Sequence, residues 1–144
     1  MHRIIYASTA TQDFSQAELK RLLVGARLRN AAAEVTGMLM FHRSEFLQAL
    51  EGEEAGVAEI FARIESDPRY CDIAILHRAT APGGRVFGEW AMGYSEFTGA
   101  AAILKGFVPI YDRVDVRSLD RKRATELLLA GNQEARKTGT AAIA

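Results

Sequence analysis

The stretch "EVTGMLMFHRSEFLQALEG", residues 34–52, decides the fold, because two apolar runs flank the polar "HRSE" at 42–45. Such a pair reads as a β-hairpin. In its second arm, "FLQALEG" (46–52), alternation places Phe46, Gln48 and Leu50 on one face and Leu47 and Ala49 on the other. Gln48 therefore points where hydrocarbon is expected. Taking an unpaired amide out of water costs on the order of a few kcal/mol, so the folded chain must supply Gln48 with a hydrogen-bonding partner.

Outward from the hairpin, the pattern is regular. "RIIYAS" (3–8) is a short strand followed by the polar "TATQD". Ser15 and Glu18 form a capping box, and Leu19, Leu22, Leu23 and Ala26 fall at i, i+3, i+4 and i+7, which predicts a helix ending near Asn30. Beyond the hairpin, Val57, Ile60, Phe61 and Ile64 repeat at helical spacing, with Glu59 and Arg63 four apart on the outer face. "DPRY" (67–70) stops this second helix, since the residue before a proline is pushed out of helical geometry. "CDIAILHRA" (71–79) and "RVFGEWAMGYSEF" (85–97) read as two further strands joined by a turn at "TAPGG" (80–84). The order β-α-β-β-α-β-β predicts an α+β, ferredoxin-like sheet with an additional fifth strand and both helices on one face.

That arrangement leaves the other sheet face bare. The segment 98–144 has a weak apolar patch, "AAAILKGF" (100–107), and a firmer helical pattern from Ser118 that uses Leu119, Ala124, Leu127 and Leu128. A C-terminal helical extension over 98–144 is expected to cover the bare face or to mediate self-association, with residues 1–97 as the main domain. The final "KTGTAAIA" (137–144) is too small and polar to pack.

Composition narrows the function classes. The 144 residues allow one domain with a core and a small appendage, and 18 basic against 18 acidic residues provide no global field for nucleic acid or an anionic membrane. Cys71 is the single cysteine, so no intrachain disulfide forms and a reducing cytoplasm is favoured. "MHRIIYAS" lacks the apolar core of a signal peptide, and no window approaches the roughly 18 apolar residues of a membrane span. His2, His42 and His77 show no metal-ligand spacing, and neither a phosphate-cradling loop nor a dinucleotide fingerprint is present. No enzyme activity is expected.

The stronger signal is a set of polar residues directed toward one place. Tyr6 carries a hydroxyl that needs a partner if buried, and Gln48 offers both donor and acceptor. Asn30 ends the first helix, where a plain C-cap is the alternative reading. Asp67 and Arg69 follow the second helix and could meet a ligand wedged between helices or form a solvated turn. Trp90 and Met92 alternate with Glu89 and Ala91, so both are expected to face the helices as core or as site.

In this order, "IIYAS", "RNAAAEVTGMLM", "FLQALEG", "RIESDPRY" and "FGEWAMGY" resemble the BLUF family of flavin-binding blue-light sensors, over about residues 2–96. The resemblance implies FAD, with FMN as the alternative, its isoalloxazine ring held between the two helices. It implies that Tyr6 donates to Gln48, that Gln48 bonds the flavin N5 and C4 carbonyl side, and that Asn30 holds the pyrimidine edge. Arg69 and Asp67 would contact the pyrimidine carbonyl and N3 region, and Leu22, Leu23 and Ile64 would pack on the ring. Light would leave Gln48 rearranged, and the change would pass through Trp90, Met92 and the C-terminal segment to a separate partner or to self-association, no effector domain being expected beyond residue 97. The sequence departs from the family pattern at Ala26, Arg29 and Tyr70, where serine, asparagine or histidine, and histidine are common. Arg29 could instead reach a cofactor phosphate.

The competing reading is a flavin-free ferredoxin-like ligand-binding or interaction module in which Gln48 bonds neighbouring backbone; it predicts a colourless protein. A small hydrolase on this scaffold would need a nucleophile and an oxyanion cradle, which the residues do not assemble.

Overall fold

The computed structural model describes residues 1–42, 44–96 and 116–138. The apolar patch at 100–107 and the tail beyond 138 lie outside the described residues. The elements are β1 (His2–Ala10), α1 (Gln16–Ala32), β2 (Thr36–His42), β3 (Glu45–Gly52), α2 (Glu54–Glu65), β4 (Tyr70–Thr80), β5 (Gly93–Glu96), a 3-10 turn at Val116–Ser118 and α3 (Arg121–Thr138). The sheet order is β4-β1-β3-β2-β5; β1 pairs antiparallel with β3 and β4, β2 antiparallel with β3, and β5 parallel with β2. This is the ferredoxin-like order with a fifth strand added beside β2.

Alternation sorts the core into two layers. Ile4, Tyr6, Leu39, Phe46 and Leu50 pack under α1 and α2 with Leu19, Leu22, Leu23, Val57, Ile60 and Phe61. Ile5, Ala7, Met38, Met40, Leu47 and Ala49 form the opposite layer with Ala124, Leu127, Leu128 and Ala135 of α3. The C-terminal helix thus covers the face that the first two helices leave bare. A period of two in the strands makes both faces apolar, which is what a three-layer arrangement requires.

The caps and turns follow their chemistry. Ser15 Oγ accepts from Glu18 N at 3.1 Å and opens α1, and Asp120 Oδ1 accepts from Arg123 N at 2.8 Å ahead of α3. Helix α1 runs two residues past Asn30, and the C-cap is Ala33. Asn30 is therefore not a cap; it is 1% exposed and points inward.

Of the segment expected as a strand from 85 to 97, the described residues, 85–96, are extended only over Gly93–Glu96. The preceding residues spend their polar groups elsewhere. Arg85 donates to Thr36 Oγ1 (2.8 Å), Glu51 O (2.9 Å) and Glu34 O (2.7 Å), while Val86 N and Phe87 N donate to the carboxylate of Glu51. Glu51 is fully buried and also accepts from Arg3 at 2.7 Å, so no ladder partner is left to claim residues 86 and 87. "TAPGG" does turn, with Gly83 at φ +113°, yet it closes no hairpin. The strands it was expected to join lie at opposite edges of the sheet, and residues 81–92 carry the chain between them.

Candidate functional site

Tyr6 and Gln48 face each other directly across β1 and β3. Both are buried, at 0% and 2% exposure, and the Tyr6 hydroxyl and Gln48 Oε1 have no hydrogen-bond partner. Each such orphan costs on the order of 1–3 kcal/mol, so two side by side mark a place built for something more than packing. The Tyr6 ring is held edge-on by Phe61 of α2, with centroids 5.0 Å apart. Burial, then the nearby Tyr70, push the Tyr6 phenol well above its ordinary pKa, which keeps the proton on the oxygen.

A cavity of about 300 Å3 opens beside Gln48, between α1 and α2. Its walls come from four places: Ala26, Arg29 and Asn30 of α1; Ile60, Arg63 and Ile64 of α2; Ser66, Asp67, Arg69 and Tyr70 from the α2–β4 turn and the start of β4; and Met92 ahead of β5. Ala26, Ile60, Ile64 and Met92 give it apolar surface, and the other lining residues add amide, carboxylate, hydroxyl and guanidinium groups. Such a mixed lining suits a heteroaromatic ring that carries polar atoms.

Asp67 and Arg69 form a tight unit. Arg69 donates to both oxygens of Asp67, with the salt bridge at 2.7 Å, and Asp67 Oδ1 also accepts from Arg69 N at 2.9 Å. Burial works against the Asp67 anion, but the bonds from Arg69 overcome it and hold the carboxyl below its usual range. The same bonds raise Arg69. Tyr70 is pushed up to about 12, chiefly by burial. Asn30 Nδ2 donates to Ala91 O at 2.8 Å, which ties one wall of the cavity to the backbone ahead of β5.

The structure brings Gln48, Arg29, Asn30, Ile64, Asp67, Arg69 and Met92 to the cavity, with Tyr6 behind Gln48 on the sheet. Leu22 and Leu23 do not line it. They are 2% exposed in the layer between α1 and the sheet, because i, i+3 and i+4 positions on α1 face the strands while the cavity lies toward its C-terminal turn. Trp90 does not face the helices either. Residues 90–92 are not extended, so the strand rule of alternate faces fails: Met92 joins the helix-side layer, and Trp90 packs on the α3 side. A Cβ on Gly93 would stand 2.8 Å from Trp90 Cε3, so the glycine makes room for the indole. Ile60, Arg63 and Ser66 are lining residues that the sequence reading did not single out. Ile60 looked like ordinary core, and Arg63 like half of an exterior ion pair with Glu59, which it also is at 3.5 Å.

Among the described residues no group of three or more His, Cys, Asp or Glu could hold a metal ion, and no helix is long and apolar enough to cross a membrane.

A ferredoxin-like sheet with a ring-sized cleft between its two helices and a Tyr–Gln pair beneath it defines a receptor for a planar cofactor. The profile of the family described as BLUF, sensors of blue light using FAD, matches residues 1–93, and the chain belongs to that family. A photoactivated adenylate cyclase subunit beta-like protein of Euglena gracilis is 31% identical over 109 residues, which are 76% of this chain and 12% of that protein. The blue light- and temperature-regulated antirepressor BluF of Escherichia coli (strain K12) is 37% identical over 89 residues, 62% of this chain and 22% of the antirepressor. The chain thus spans less than a quarter of the length of these relatives. Among solved structures, the dark state of the BLUF protein BlrB superposes with a TM-score of 0.75 at 23% identity, covering 90% of this chain and 95% of that one. The ground state of BlsA gives 0.69 at 24% identity over 89% and 87%. These two share the fold.

Proposed function

We propose that the chain is a blue-light photoreceptor that holds FAD in the α1–α2 cavity and signals through the hydrogen bonds of Tyr6 and Gln48. One observation carries this reading: the buried Tyr6 hydroxyl and Gln48 Oε1, on residues paired across β1 and β3, lack partners, and Gln48 lines a ring-sized cavity. A flavin ring supplies donors and acceptors at that edge, and the family profile names FAD. Asn30 and the Asp67–Arg69 unit are suited to its imide edge; Ile60, Ile64 and Met92 are suited to its faces. Arg29, at the exposed mouth, can take a phosphate.

When bound, the flavin supplies the chromophore and an acceptor for an electron. Tyr6 is the oxidisable phenol paired with Gln48 across β1 and β3, and its raised pKa keeps it a donor toward the Gln48 amide. Gln48 can exchange its donor and acceptor ends by rotation or tautomerisation with the backbone fixed. No other lining residue combines both roles with a place opposite Tyr6. The exchange changes which hydrogen bonds Gln48 offers into the cavity that Asn30 and Met92 also line, and so biases the segment ahead of β5.

Output then runs from residues 89–92 to the C-terminal extension, 98–144, and on to a separate protein or a second copy of the chain, without turnover. The single cysteine supports a reducing cytoplasm as the place of action. The supporting contacts are Trp90 against the α3 layer and the ion pair of Glu89 with Arg136 of α3. The deciding experiment is an absorption spectrum in darkness and directly after blue light. Flavin bands that shift slightly to the red and recover in the dark are expected; a protein that cannot be loaded with flavin would refute the proposal. Chromatography of the released cofactor distinguishes FAD from FMN.

A further inference from the structure

Three successive carbonyls ahead of β5 are each held by a donor from elsewhere in the fold. Gly37 N of β2 donates to Trp90 O at 3.3 Å, Asn30 Nδ2 to Ala91 O at 2.8 Å, and Arg27 Nε to Met92 O at 2.8 Å. Asn30 and Arg27 are three apart on α1, so one helix turn reaches two adjacent residues of the segment. Ladder pairing with β2 begins only at Gly93, and side-chain bonds therefore do for residues 91 and 92 what a ladder does further on.

The two α1 residues differ in position. Asn30 lines the cavity and Arg27 does not. Arg27 grips from outside a residue whose side chain is 1% exposed and forms part of the cavity wall. Its bond is charge-assisted and short, the stronger kind among side-chain contacts to backbone. Immediately before it the chain crosses the sheet edge, sending Trp90 to the α3 side and Met92 to the helix side. Any displacement of the Met92 backbone away from α1 must break the Arg27 bond.

From this geometry we infer that Arg27 is a positioning residue: its guanidinium latches the Met92 carbonyl, fixes Met92 against the cavity in the dark, and sets how fast the site resets after light. The kinetic part rests on the photoreceptor reading; the latch itself does not. Losing the bond weakens the resting placement and leaves the lit arrangement longer-lived.

The test compares the full chain with Arg27→Ala, Arg27→Lys and, as a control on an exposed position of the same helix, Arg21→Gln. Alanine preserves the helix. In darkness, amide exchange at Ala91–Gly93 is expected to rise roughly fivefold in Arg27→Ala, the scale of one lost charged hydrogen bond at a partly exposed site. Flavin content and the size of the red shift are expected to stay as in the parent, while dark recovery slows at least about threefold. Arg27→Lys, which keeps a cationic donor, should move both readouts back toward the parent, and Arg21→Gln should move neither. Unchanged exchange in Arg27→Ala would overturn the latch, and unchanged recovery would overturn its role in resetting. If the parent chain shows no light-induced shift, the photoreceptor reading falls, and the dark exchange comparison alone decides the latch.

Discussion

Tyr6 and Gln48 set the chemistry at the scale of single residues. Both orphaned atoms belong to buried side chains, and the Tyr6 ring packs in the helix-side core, so removing the Tyr6 hydroxyl leaves the core intact. Tyr6→Phe deletes a buried hydroxyl that has no partner, and the flavin-free protein should be as stable as the parent or more stable by about 1 kcal/mol. A urea melt reads this directly; a loss beyond about 1 kcal/mol would show that the hydroxyl has a protein partner. In the flavin-loaded protein, Tyr6→Phe and Gln48→Leu should each retain the yellow colour and abolish the reversible red shift, because the first removes the donor and the second removes the exchangeable amide. Gly37 shows the opposite behaviour. A Cβ there would stand 2.1 Å from Ala49 O, a backbone atom. Gly37→Ala should cost about 3 kcal/mol in the same melt, since β2 must move off β3 to accommodate it.

At the scale of elements, the informative pair is α3 and the segment 81–92. Helix α3 contributes Leu127 and Leu128, both fully buried, to the layer that includes Met38, Met40 and Leu47. Leu127→Ala should therefore destabilise the protein by about 2–4 kcal/mol, seen as a lower denaturation midpoint. Its dark flavin spectrum should stay unchanged, because the cavity lies on the other side of the sheet; a displaced spectrum would show that the two faces communicate even at rest. The Glu89–Arg136 pair joins these same elements, but both side chains are substantially exposed, at 38% and 54%. Its worth lies in orienting the segment rather than in stability.

At the scale of the whole molecule, His77 and Asp67 give folding a pH response through burial and neighbouring charge. His77 on β4 is held below its ordinary pKa of 6.5, first by burial and then by Arg121 at the start of α3 and Arg3 on β1. A histidine whose folded pKa is depressed binds its proton more readily when unfolded. Stability is then complete above the unfolded value and falls as pH drops through the folded one. Lowering the pH from 7 toward 5 should weaken the protein, and His77→Gln should flatten that slope; an unaltered slope in the variant would place the effect elsewhere. Asp67 acts in the same sense but lower on the scale, since its depressed carboxyl pKa confers stability that is lost only as pH falls below the ordinary carboxylate range.

Periodicity alone determined most of the architecture. The alternation in 34–52, the capping box at Ser15 and Glu18 and the repeat through Leu127 and Leu128 are local, and they report which face of each element is apolar. They also exposed Gln48 as an amide on a buried face that needs a partner, while the rest of the candidate site came from the family resemblance. What tertiary structure decided is everything that depends on which elements meet. The family resemblance made Leu22 and Leu23 equal candidates with Ile64, yet of the three only Ile64 reaches the cavity, because the space opens at one end of the α1–α2 pair. Trp90 and Met92 share a face under strand periodicity and part company in the fold. The backbone donors of residues 86 and 87 bind the buried carboxylate of Glu51, and the carbonyls of 90–92 are held by Gly37, Asn30 and Arg27, so no ladder fixes their alternation until Gly93. Those partners lie 35 to 65 residues away along the chain, beyond the reach of any local pattern.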